Sequence, residues 1–407
     1  LHLLSRRQRQ MCIRDSSDIR GPLFVEAMKR QKQGIDILKL NTGNPATFGF
    51  GLPDSIKNAL IEHMQDGVGY CDFKGMPQAR QAICDYETSK GIKGITSDDV
   101  FIGNGVSEVV SFALTPLLND GDEVLVPSPS YSLWGNSVYL EDGKPVFYTC
   151  DEQANWYPDI QDIRSKITDK TKAIVIINPN NPTGVLYPKE LLLEIIQIAR
   201  ESGLLIFADE IYDRLVMDGK QHISLASLTE DVPVITLNGL SKSHCLCGYR
   251  CGWMVISGPR ELTEDYRQGI IQLTSLRLCA NTLAQIVIPA ALDDMDTPAS
   301  MVRPGGRIYE QREATVRELE KIDGLSFVKN DAAFYVFPKL DVKKFNITND
   351  KQFAHDLLDA TNILLVPGSG FDWKDPDHFR IVMLPQADIL SDAIRRMGTF
   401  LDGYKQK

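Results

Sequence analysis

The sequence predicts an α/β fold in which a mainly parallel sheet is flanked by helices and joined by a smaller α+β region. From about residue 97 to residue 242, short apolar runs alternate with helical stretches. Near-continuous apolar strands separated by helices indicate parallel strands that are covered on both faces. This alternation stops at about residue 300. The chain has 407 residues, which exceeds the size at which single cores stop growing, so two domains are expected.

The N-terminal part shows weaker patterns than the part that follows. We expect residues 1–16 to be a non-native or disordered leader, because they have no periodicity and no apolar segment typical of a signal peptide. Apolar and polar residues alternate over Ile35–Leu40, which predicts a strand, and the Gly- and Pro-containing stretch Asn41–Pro45 predicts a turn. Helices are predicted at Leu23–Gln33, Pro53–Met64 and Met76–Lys90.

Each apolar run of the central region leads into a turn that carries polar or glycine residues. In open α/β sheets ligands bind at the carboxyl ends of the strands, so we expect the functional residues in these turns. A helix is predicted at Ser107–Leu118, after the first of them. The predicted strands are Val100–Ile102, Glu123–Val126, Ala173–Ile177, Leu204–Phe207 and Val234–Leu237.

The C-terminal part has a different pattern. A charged amphipathic helix is predicted at Tyr309–Lys321, and strands are predicted at Ala333–Phe337 and Phe379–Met383. These elements are typical of a smaller α+β domain. We therefore predict a large domain over residues 53–299 and a small, discontinuous domain over residues 17–52 and 300–407.

Composition and charge exclude several classes of protein. The formal net charge of −10 argues against a nucleic-acid-binding protein. Apolar runs such as Ala173–Ile177 are too short to cross a bilayer, so no membrane partner is predicted. Eight cysteines in a chain of this length do not form a disulfide framework, and they favour reduced thiols in a cytoplasmic protein.

Three of the cysteines, Cys245, Cys247 and Cys251, lie close together in the sequence. Their spacing lacks a fourth ligand at an interval typical of zinc sites. The pattern favours packing thiols over a metal site, so we predict no metal, and it leaves the role of these thiols open.

Lys242, Asp209 and Arg250 are the candidate centre of a functional site. Each ends or follows a short apolar run, so an amine, a carboxylate and a guanidinium come to one edge of the sheet. Pyridoxal phosphate needs this set: a lysine that bonds its aldehyde, a carboxylate that keeps its pyridine nitrogen protonated, and a cation for its phosphate. The alternatives are a helix N-cap for Asp209 and a solvated side chain for Lys242.

Three further residues are candidates for the cofactor ring. Tyr212 and Asn181 are candidates for hydrogen bonds to the phenolate oxygen, which would lower the proton affinity of the bound cofactor. Tyr131, in the same stretch as Trp134, is a candidate for stacking on the ring. Core packing remains the alternative for each of the aromatic residues.

The stretch Gly105-Val106-Ser107 is the candidate phosphate loop, because it lies where a predicted strand gives way to a helix. Free backbone N–H groups and the helix dipole favour an anion there. Val106 and Ser107 would bind the phosphate, Arg250 would complete the site as a bidentate cation, and Ser241 would add a hydroxyl. An ordinary serine cap is the alternative for Ser107.

Arg380 stands in a strand that is otherwise apolar. A buried guanidinium needs an anion, and the α-carboxylate of an amino-acid substrate would supply one. The alternative is a structural salt bridge.

These residues resemble the class I and II aminotransferases of PLP fold type I, and the resemblance runs from Asp18 to the C-terminus. The motifs that carry it are Asn181–Gly184, Ala208–Tyr212, Ser241-Lys242 with Arg250, and Phe379-Arg380. Within this family, further stretches resemble the bacterial glutamate–pyruvate (alanine) aminotransferases. These are Leu40-Asn41 with Gly43–Pro45, Gly69–Asp72, Ile102–Glu108, Ile176–Gly184, Leu278–Asn281 and Pro304–Arg307.

The resemblance implies pyridoxal 5'-phosphate as cofactor and a role for each matching residue. Two roles come from the resemblance alone. Gly43 lies in the loop that covers the substrate, and Tyr70 matches a tyrosine that reaches the phosphate in the neighbouring subunit, which implies a homodimer with shared active sites. The other matches are the cofactor lysine (Lys242), its pyridinium partner (Asp209), the phenolate ligands (Tyr212, Asn181), the phosphate site (Val106, Ser107, Arg250), the ring-stacking position (Tyr131) and the α-carboxylate arginine (Arg380).

The implied reaction converts L-alanine and 2-oxoglutarate into pyruvate and L-glutamate by a ping-pong mechanism, as part of amino-acid biosynthesis. Arg20 and Arg277 are candidates for the distal carboxylate of glutamate. The alternatives are an aminotransferase for aromatic or branched-chain substrates, a PLP-dependent carbon–sulfur lyase, and a non-catalytic regulator that retains the fold.

Overall fold

The structure, a computed structural model, describes residues 21–407. The predicted leader, residues 1–16, and the candidate Arg20 lie outside the described residues. Strand β1 (Leu38–Lys39) comes first and lies outside the main sheet. The strands of the main sheet are β2 (Val100–Gly103), β3 (Glu123–Ser128), β4 (Lys144–Asp151), β5 (Tyr157–Pro158), β6 (Thr171–Ile177), β7 (Leu205–Asp209), β8 (Val234–Gly239) and β9 (Gly252–Ser257).

The main sheet has eight strands in the order β2-β9-β8-β7-β6-β3-β4-β5. Strands β4, β3, β6, β7 and β8 run parallel to their neighbours in this series. Strand β9 runs antiparallel to both β8 and β2, and β5 runs antiparallel to β4. The predicted mainly parallel sheet is therefore confirmed, and three strands of it, β4, β5 and β9, were not predicted.

Alternate side chains of the central strands pack into two separate apolar layers. In β6, Ala173 and Val175 belong to one layer, whereas Ile174 and Ile176 belong to the other. Because both layers are buried, the strand has no polar face and its sequence is a continuous apolar run.

Helices enclose these layers and connect the strands. The predicted helix at Ser107–Leu118 is shorter in the structure, where it ends at Leu114. No helix in the described range 21–407 is long and apolar enough to cross a membrane. The helices up to residue 302 are α1 (Pro22–Lys32), α2 (Asp54–His63), α3 (Pro77–Ser89), α4 (Val106–Leu114), α5 (Leu133–Leu140), α6 (Ile160–Lys166), α7 (Lys189–Ser202), α8 (Leu240–Ser243), α9 (Arg260–Arg277), α10 (Thr282–Ile286), α11 (Ile288–Asp293) and α12 (Asp296–Val302).

The C-terminal part forms small sheets with an apolar cluster of its own. The strands are β10 (Leu325–Ser326), β11 (Tyr335–Val336), β12 (Lys339–Leu340), β13 (Ile363–Leu364), β14 (Val366–Pro367) and β15 (Phe379–Val382). The helices are α13 (Arg307–Leu319), α14 (Val342–Phe345), α15 (Asp350–Thr361) and α16 (Ala387–Leu401). Strand β1 pairs in parallel with β13, so the N-terminal segment joins this part. That pairing agrees with a discontinuous small domain, whose boundaries stay a prediction.

The ends of β2 and β8 and the start of β9 lie side by side at one edge of the main sheet. Gly103 at the end of β2 and Gly239 at the end of β8 both pair with Gly252 at the start of β9. A Cβ atom at Gly252 would lie 2.4 Å from the backbone nitrogen of Val106, so no larger residue fits there without a shift. The loops that carry the phosphate candidates, Lys242 and Arg250 therefore leave the sheet side by side.

Candidate active site

Lys242 lies on the short helix α8, directly after β8. Its Nζ donates a hydrogen bond to the carbonyl oxygen of Gly43 at 3.0 Å and lies 3.9 Å from Sγ of Cys247. Burial lowers the pKa of this amine, but Tyr335, Cys247 and Tyr131 more than offset that effect, so the pKa is raised overall. The lysine is thus held inside the protein and is not a solvated surface residue.

Asp209 ends β7 and is 5% exposed. One carboxylate oxygen accepts a hydrogen bond from the indole N–H of Trp134 at 3.0 Å, and the other accepts one from the backbone N–H of Ile211 at 3.4 Å. Burial raises the pKa of Asp209 to about 6, although both hydrogen bonds and Lys242 oppose that rise. The residues directly after Asp209 form a turn and not a helix, so the N-cap alternative does not apply.

Tyr212 points its hydroxyl at the hydroxyl of Tyr335, at an oxygen–oxygen distance of 3.0 Å. Both side chains are buried, and burial holds the pKa of Tyr212 well above its ordinary value. A Cβ atom at Gly43 would lie 2.2 Å from the Tyr335 hydroxyl oxygen, which shows how closely the Gly43 segment covers this pair. Tyr335 was not predicted as a site residue.

Arg380 lies in β15 and is 2% exposed. Its guanidinium donates to the side-chain oxygen of Asn181 at 2.9 Å and to the carbonyl oxygen of Asn41, and it lies 4.6 Å from the ring centroids of both Tyr335 and Phe371. It forms no ion pair with a carboxylate in the described part of the chain, and its Nε has no hydrogen-bond partner there. Burial lowers the pKa of this guanidinium.

The salt bridge that was the alternative for Arg380 is therefore absent among residues 21–407. An isolated buried charge is costly unless a partner arrives to neutralise it. Since the polar contacts of Arg380 are neutral oxygens, the guanidinium retains its capacity to bind an anion.

The start of helix α4 forms a candidate anion cradle. Gly105, at the N-cap, has φ 87°, and a Cβ atom there would lie 2.3 Å from Nη2 of Arg250. Within the described residues no acceptor binds the backbone N–H groups of Val106 and Ser107. Arg250 donates to the carbonyl oxygen of Cys247 at 3.0 Å and is otherwise exposed to solvent. Two free N–H groups at a helix start and an adjacent guanidinium are suited to a phosphate.

Not every predicted residue reaches this centre. Tyr131 is half-buried just before helix α5, and it contributes to raising the pKa of Lys242. The side chain of Tyr70 is 84% exposed. Arg277 forms an ion pair with Glu108 at 2.6 Å and donates to two backbone carbonyl groups, so it is already engaged away from Lys242.

The three clustered cysteines have three different environments. Cys245 contacts the sulfur of Met301 at 3.9 Å, and Cys247 donates to the carbonyl oxygen of Ser241 at 2.9 Å. Burial raises the pKa of Cys245 and of Cys251 to about 12. These contacts agree with packing thiols, of which Cys247 lies closest to Lys242.

Contacts between distant parts of the chain bring further residues to the candidate active site, and these were not predicted from the sequence. Trp134 was given no role in the predicted site, whereas in the structure its indole donates a hydrogen bond to Asp209. Tyr335, Phe334 and Phe371 surround Tyr212 and Arg380. The one signal for Tyr335 was a phenol within an otherwise apolar predicted strand.

Comparisons with known proteins agree on one family. The family model for aminotransferase class I and II matches residues 35–394. A curated glutamate–pyruvate aminotransferase from Haemophilus influenzae is 51% identical, over 96% of each chain. The crystal structure of an aminotransferase from Escherichia coli has a TM-score of 0.94 and 48% identity, covering 96% of each chain. An alanine aminotransferase from Pyrococcus furiosus has a TM-score of 0.91 and 41% identity, covering 97% of this chain and 98% of that one.

Proposed function

The chain belongs to the class I and II aminotransferases, and we propose that it transfers the amino group of L-alanine to 2-oxoglutarate, giving pyruvate and L-glutamate. The observation that carries this proposal is the buried guanidinium of Arg380, which has no carboxylate partner among the described residues and packs on the ring of Tyr335, whose hydroxyl contacts that of Tyr212. The names of the relatives support alanine and glutamate as the substrate pair.

The residues of this site fit pyridoxal phosphate. The fit rests on the unpaired N–H groups at the start of α4, on Arg250 beside them, and on the buried carboxylate of Asp209, which needs a positive or hydrogen-bonding partner. When bound, this group supplies an electron-accepting ring that stabilises negative charge at the substrate Cα. The residues that would hold it are Lys242 at the aldehyde, Asp209 at the pyridine nitrogen, Tyr212 and Asn181 at the phenolate oxygen, Tyr131 on the ring, and Val106, Ser107, Ser241 and Arg250 at the phosphate.

Arg380 would bind the substrate's α-carboxylate and so fix the position of Cα. The rings of Tyr335 and Phe371 lie on the guanidinium and keep water from it. Charge-assisted hydrogen bonds are stronger in such a dry site than in water. Lys242 Nζ would then remove the proton from Cα as a general base.

Asp209 would retain a negative charge opposite the pyridine nitrogen. The Trp134 indole and the Ile211 N–H stabilise that charge, and they counteract the burial that raises the pKa of Asp209 to about 6. A positive pyridinium would stabilise it further.

A homodimer is the second part of this proposal. Exposed apolar side chains lie on two neighbouring segments, around Tyr70 and at the end of helix α9. A hydrogen bond from the Thr282 hydroxyl to the Gly67 carbonyl at 2.8 Å joins these segments. Such a patch is typical of a surface that a partner covers. The exposed fractions are 61% for Ile61, 77% for Val68, 84% for Tyr70, 82% for Leu276 and 53% for Leu278. The cytoplasmic location stays a prediction.

The test is pyruvate production from L-alanine by the cofactor-loaded enzyme, with and without 2-oxoglutarate. We expect production that requires 2-oxoglutarate and is abolished in Lys242→Ala. Turnover of aromatic or branched-chain amino acids alone would keep the reaction type and overturn the substrate. Pyruvate release from cysteine conjugates without a keto acid would indicate a lyase.

A further inference from the structure

A second group of buried charges lies next to the residues that would bind the cofactor. Nζ of Lys90 lies 2.6 Å from a carboxylate oxygen of Glu210 and 3.2 Å from one of Asp213. It also lies 2.8 Å from a carboxylate oxygen of Glu87, which is near the end of helix α3. The three carboxylate side chains are at most 4% exposed. The reaction proposed above gives none of these four residues a role.

Within residues 21–407, Lys90 is the only lysine or arginine that forms an ion pair with these carboxylates. The imidazole of His222 lies 4.0 Å from Glu210, but burial lowers its pKa, so it is neutral at neutral pH. Burial raises the pKa of Asp213, but Lys90 and further neighbours more than offset that effect, so the pKa is lowered overall. One ammonium therefore holds together buried carboxylates that would otherwise repel one another.

Neutral donors from other parts of the chain bind the same carboxylates. The Tyr86 hydroxyl and the side-chain amide of Asn238 donate to Asp213, at 2.6 and 2.7 Å. The Ser224 hydroxyl donates to Glu210 at 2.8 Å. Because Tyr86 lies in helix α3 and Asn238 lies in β8, the side chain of Asp213 is fixed between these two elements.

Glu210 and Asp213 lie at the two ends of a turn that carries a cofactor candidate and follows another. Asp209 directly precedes Glu210, and Tyr212 directly precedes Asp213. The backbone N–H of Asp213 donates to the carbonyl oxygen of Glu210 at 3.0 Å, which closes the turn. A displacement of either end would therefore move the carboxylate of Asp209 or the hydroxyl of Tyr212.

We propose that Lys90 is a positioning residue, which holds both ends of the turn 210–213 and so places the hydroxyl of Tyr212 at the phenolate oxygen of the cofactor. This inference rests on the proposed function. Lys90 would act through the two carboxylates of the turn and not on the substrate itself. Without its ammonium, the buried carboxylates lose their ionic partner, and their repulsion would separate the ends of the turn from helix α3.

The test is a pH titration of the absorbance of the bound cofactor in the wild type and in Lys90→Met, without substrate. A hydrogen bond to the phenolate oxygen stabilises its deprotonated form and lowers the pH midpoint of this titration. We expect the midpoint in Lys90→Met to rise by about one pH unit, the scale of one lost hydrogen bond. The kcat for L-alanine should fall roughly tenfold. Lys90→Arg retains the charge, so its midpoint should lie between those of the other two proteins.

Arg267→Met is the matched control. Arg267 forms a buried ion pair with Asp99, which directly precedes β2 and lies at the end of that strand opposite to Gly103. This variant should lose stability without a change in the midpoint. Asp213→Asn keeps the shape of the side chain but removes its charge, so it should raise the midpoint by less than Lys90→Met does. It tests the same contact if Lys90→Met does not fold.

A midpoint in Lys90→Met equal to that of the wild type would overturn this inference, and so would an equal shift in Arg267→Met. The midpoint requires a bound cofactor but no amino-acid substrate, so an enzyme with a different substrate still tests Lys90. A wild type without any absorbance of bound cofactor would overturn the proposed function and this inference together. A failure of this inference alone leaves the wild-type spectrum and activity intact, and the two failures are thus distinguishable.

Discussion

Arg380 and Arg312 are both fully buried arginines in the C-terminal part, yet their surroundings are opposite. Arg312 donates to both carboxylate oxygens of Asp218, at 2.7 and 2.6 Å, and to Glu313 at 3.0 Å. Arg380 contacts only neutral oxygens and aromatic rings. We therefore expect the charge of Arg312, which is paired within the chain, to stabilise the fold, and the charge of Arg380, which has no charged partner among the described residues, to be available to a ligand.

The largest expected effect is on catalytic activity, which should fall when Arg380 is replaced but not when Arg312 is replaced. Arg380→Gln removes the proposed partner of the substrate α-carboxylate, and we expect kcat/KM for L-alanine to fall by roughly 10²- to 10³-fold. Its unfolding free energy should change less than that of Arg312→Gln, because the relief of an unpaired buried charge opposes the loss of two hydrogen bonds to neutral oxygens. Steady-state kinetics and urea unfolding check the two parts. Unchanged kinetics would contradict the assignment of Arg380 as the partner of the substrate α-carboxylate.

The reciprocal variant, Arg312→Gln, should lose stability and keep activity. It leaves Asp218 without its bidentate partner, so we expect a loss of about 2–3 kcal/mol in unfolding free energy. The folded fraction should retain the wild-type kcat/KM. A stable but inactive variant would show that Arg312 has a catalytic role and would break the comparison.

The carboxylates of Asp209 and Asp218 should change the stability of the protein in opposite directions as the pH changes. Burial raises the pKa of Asp209 from 3.8 to about 6, so ionised Asp209 destabilises the cofactor-free protein above that pH. At pH 8, the unfolding free energy of Asp209→Asn should therefore exceed that of the wild type by up to about 3 kcal/mol, so the variant unfolds at a higher urea concentration. This difference should vanish below about pH 4. Arg312 lowers the pKa of Asp218, so Asp218→Asn should lose stability relative to the wild type at pH 8 and lose less as the pH falls through the acid range. Unfolding of all three proteins across pH checks both signs.

Trp134→Phe should have a smaller effect than the change at Arg380. It removes the indole hydrogen bond that stabilises the charged form of Asp209, so the pKa of that carboxyl should rise further. We expect kcat/KM at neutral pH to fall roughly tenfold, and its acid limb to move to higher pH. Trp253→Phe, which loses an indole contact to Glu87, is the matched control and should not move the acid limb. An unshifted acid limb in Trp134→Phe would remove Trp134 from the site.

The smallest expected effect concerns Tyr335. Tyr335→Phe removes the hydroxyl contact to Tyr212 but keeps the ring under Arg380. We expect a loss of about two- to fivefold in kcat/KM, the scale of one neutral hydrogen bond. Tyr335→Leu, which also removes the ring, should raise KM more than Tyr335→Phe does. Equal KM values in the two variants would show that the ring does not support Arg380.

The sequence was sufficient to predict the residues that follow strands. Asp209 and Lys242 stand at the ends of apolar runs, and the hydrophobic effect alone places such runs in the sheet. Arg250 differs from them, because it precedes strand β9 and does not follow a strand. Strand β9 was not predicted, although its six residues are all buried. Its apolar run directly follows the loop of Arg250, and for that reason it was not recognised as a separate strand.

The contacts between those residues could not be predicted, because they join distant parts of the chain. The hydroxyls of Tyr212 and Tyr335 meet across 123 positions, and Trp134 reaches Asp209 across 75. The absence of a carboxylate near Arg380 is likewise a property of packing, and no local pattern reveals it. Arg277 is the opposite case, because it was a candidate for the distal carboxylate of glutamate but has an ionic partner within the chain. That partner, Glu108, lies 169 positions away in the sequence, so nothing near Arg277 in the sequence indicates it.

The most direct measurement follows the absorbance of the bound cofactor in wild type and Arg380→Gln while L-alanine or L-glutamate is added alone. The account predicts that each amino acid converts the cofactor spectrum of the wild type. In Arg380→Gln, half-conversion should need roughly 10²-fold more of either amino acid. Equal half-conversion concentrations in the two proteins would contradict the claim that the unpaired guanidinium of Arg380 binds the substrate carboxylate.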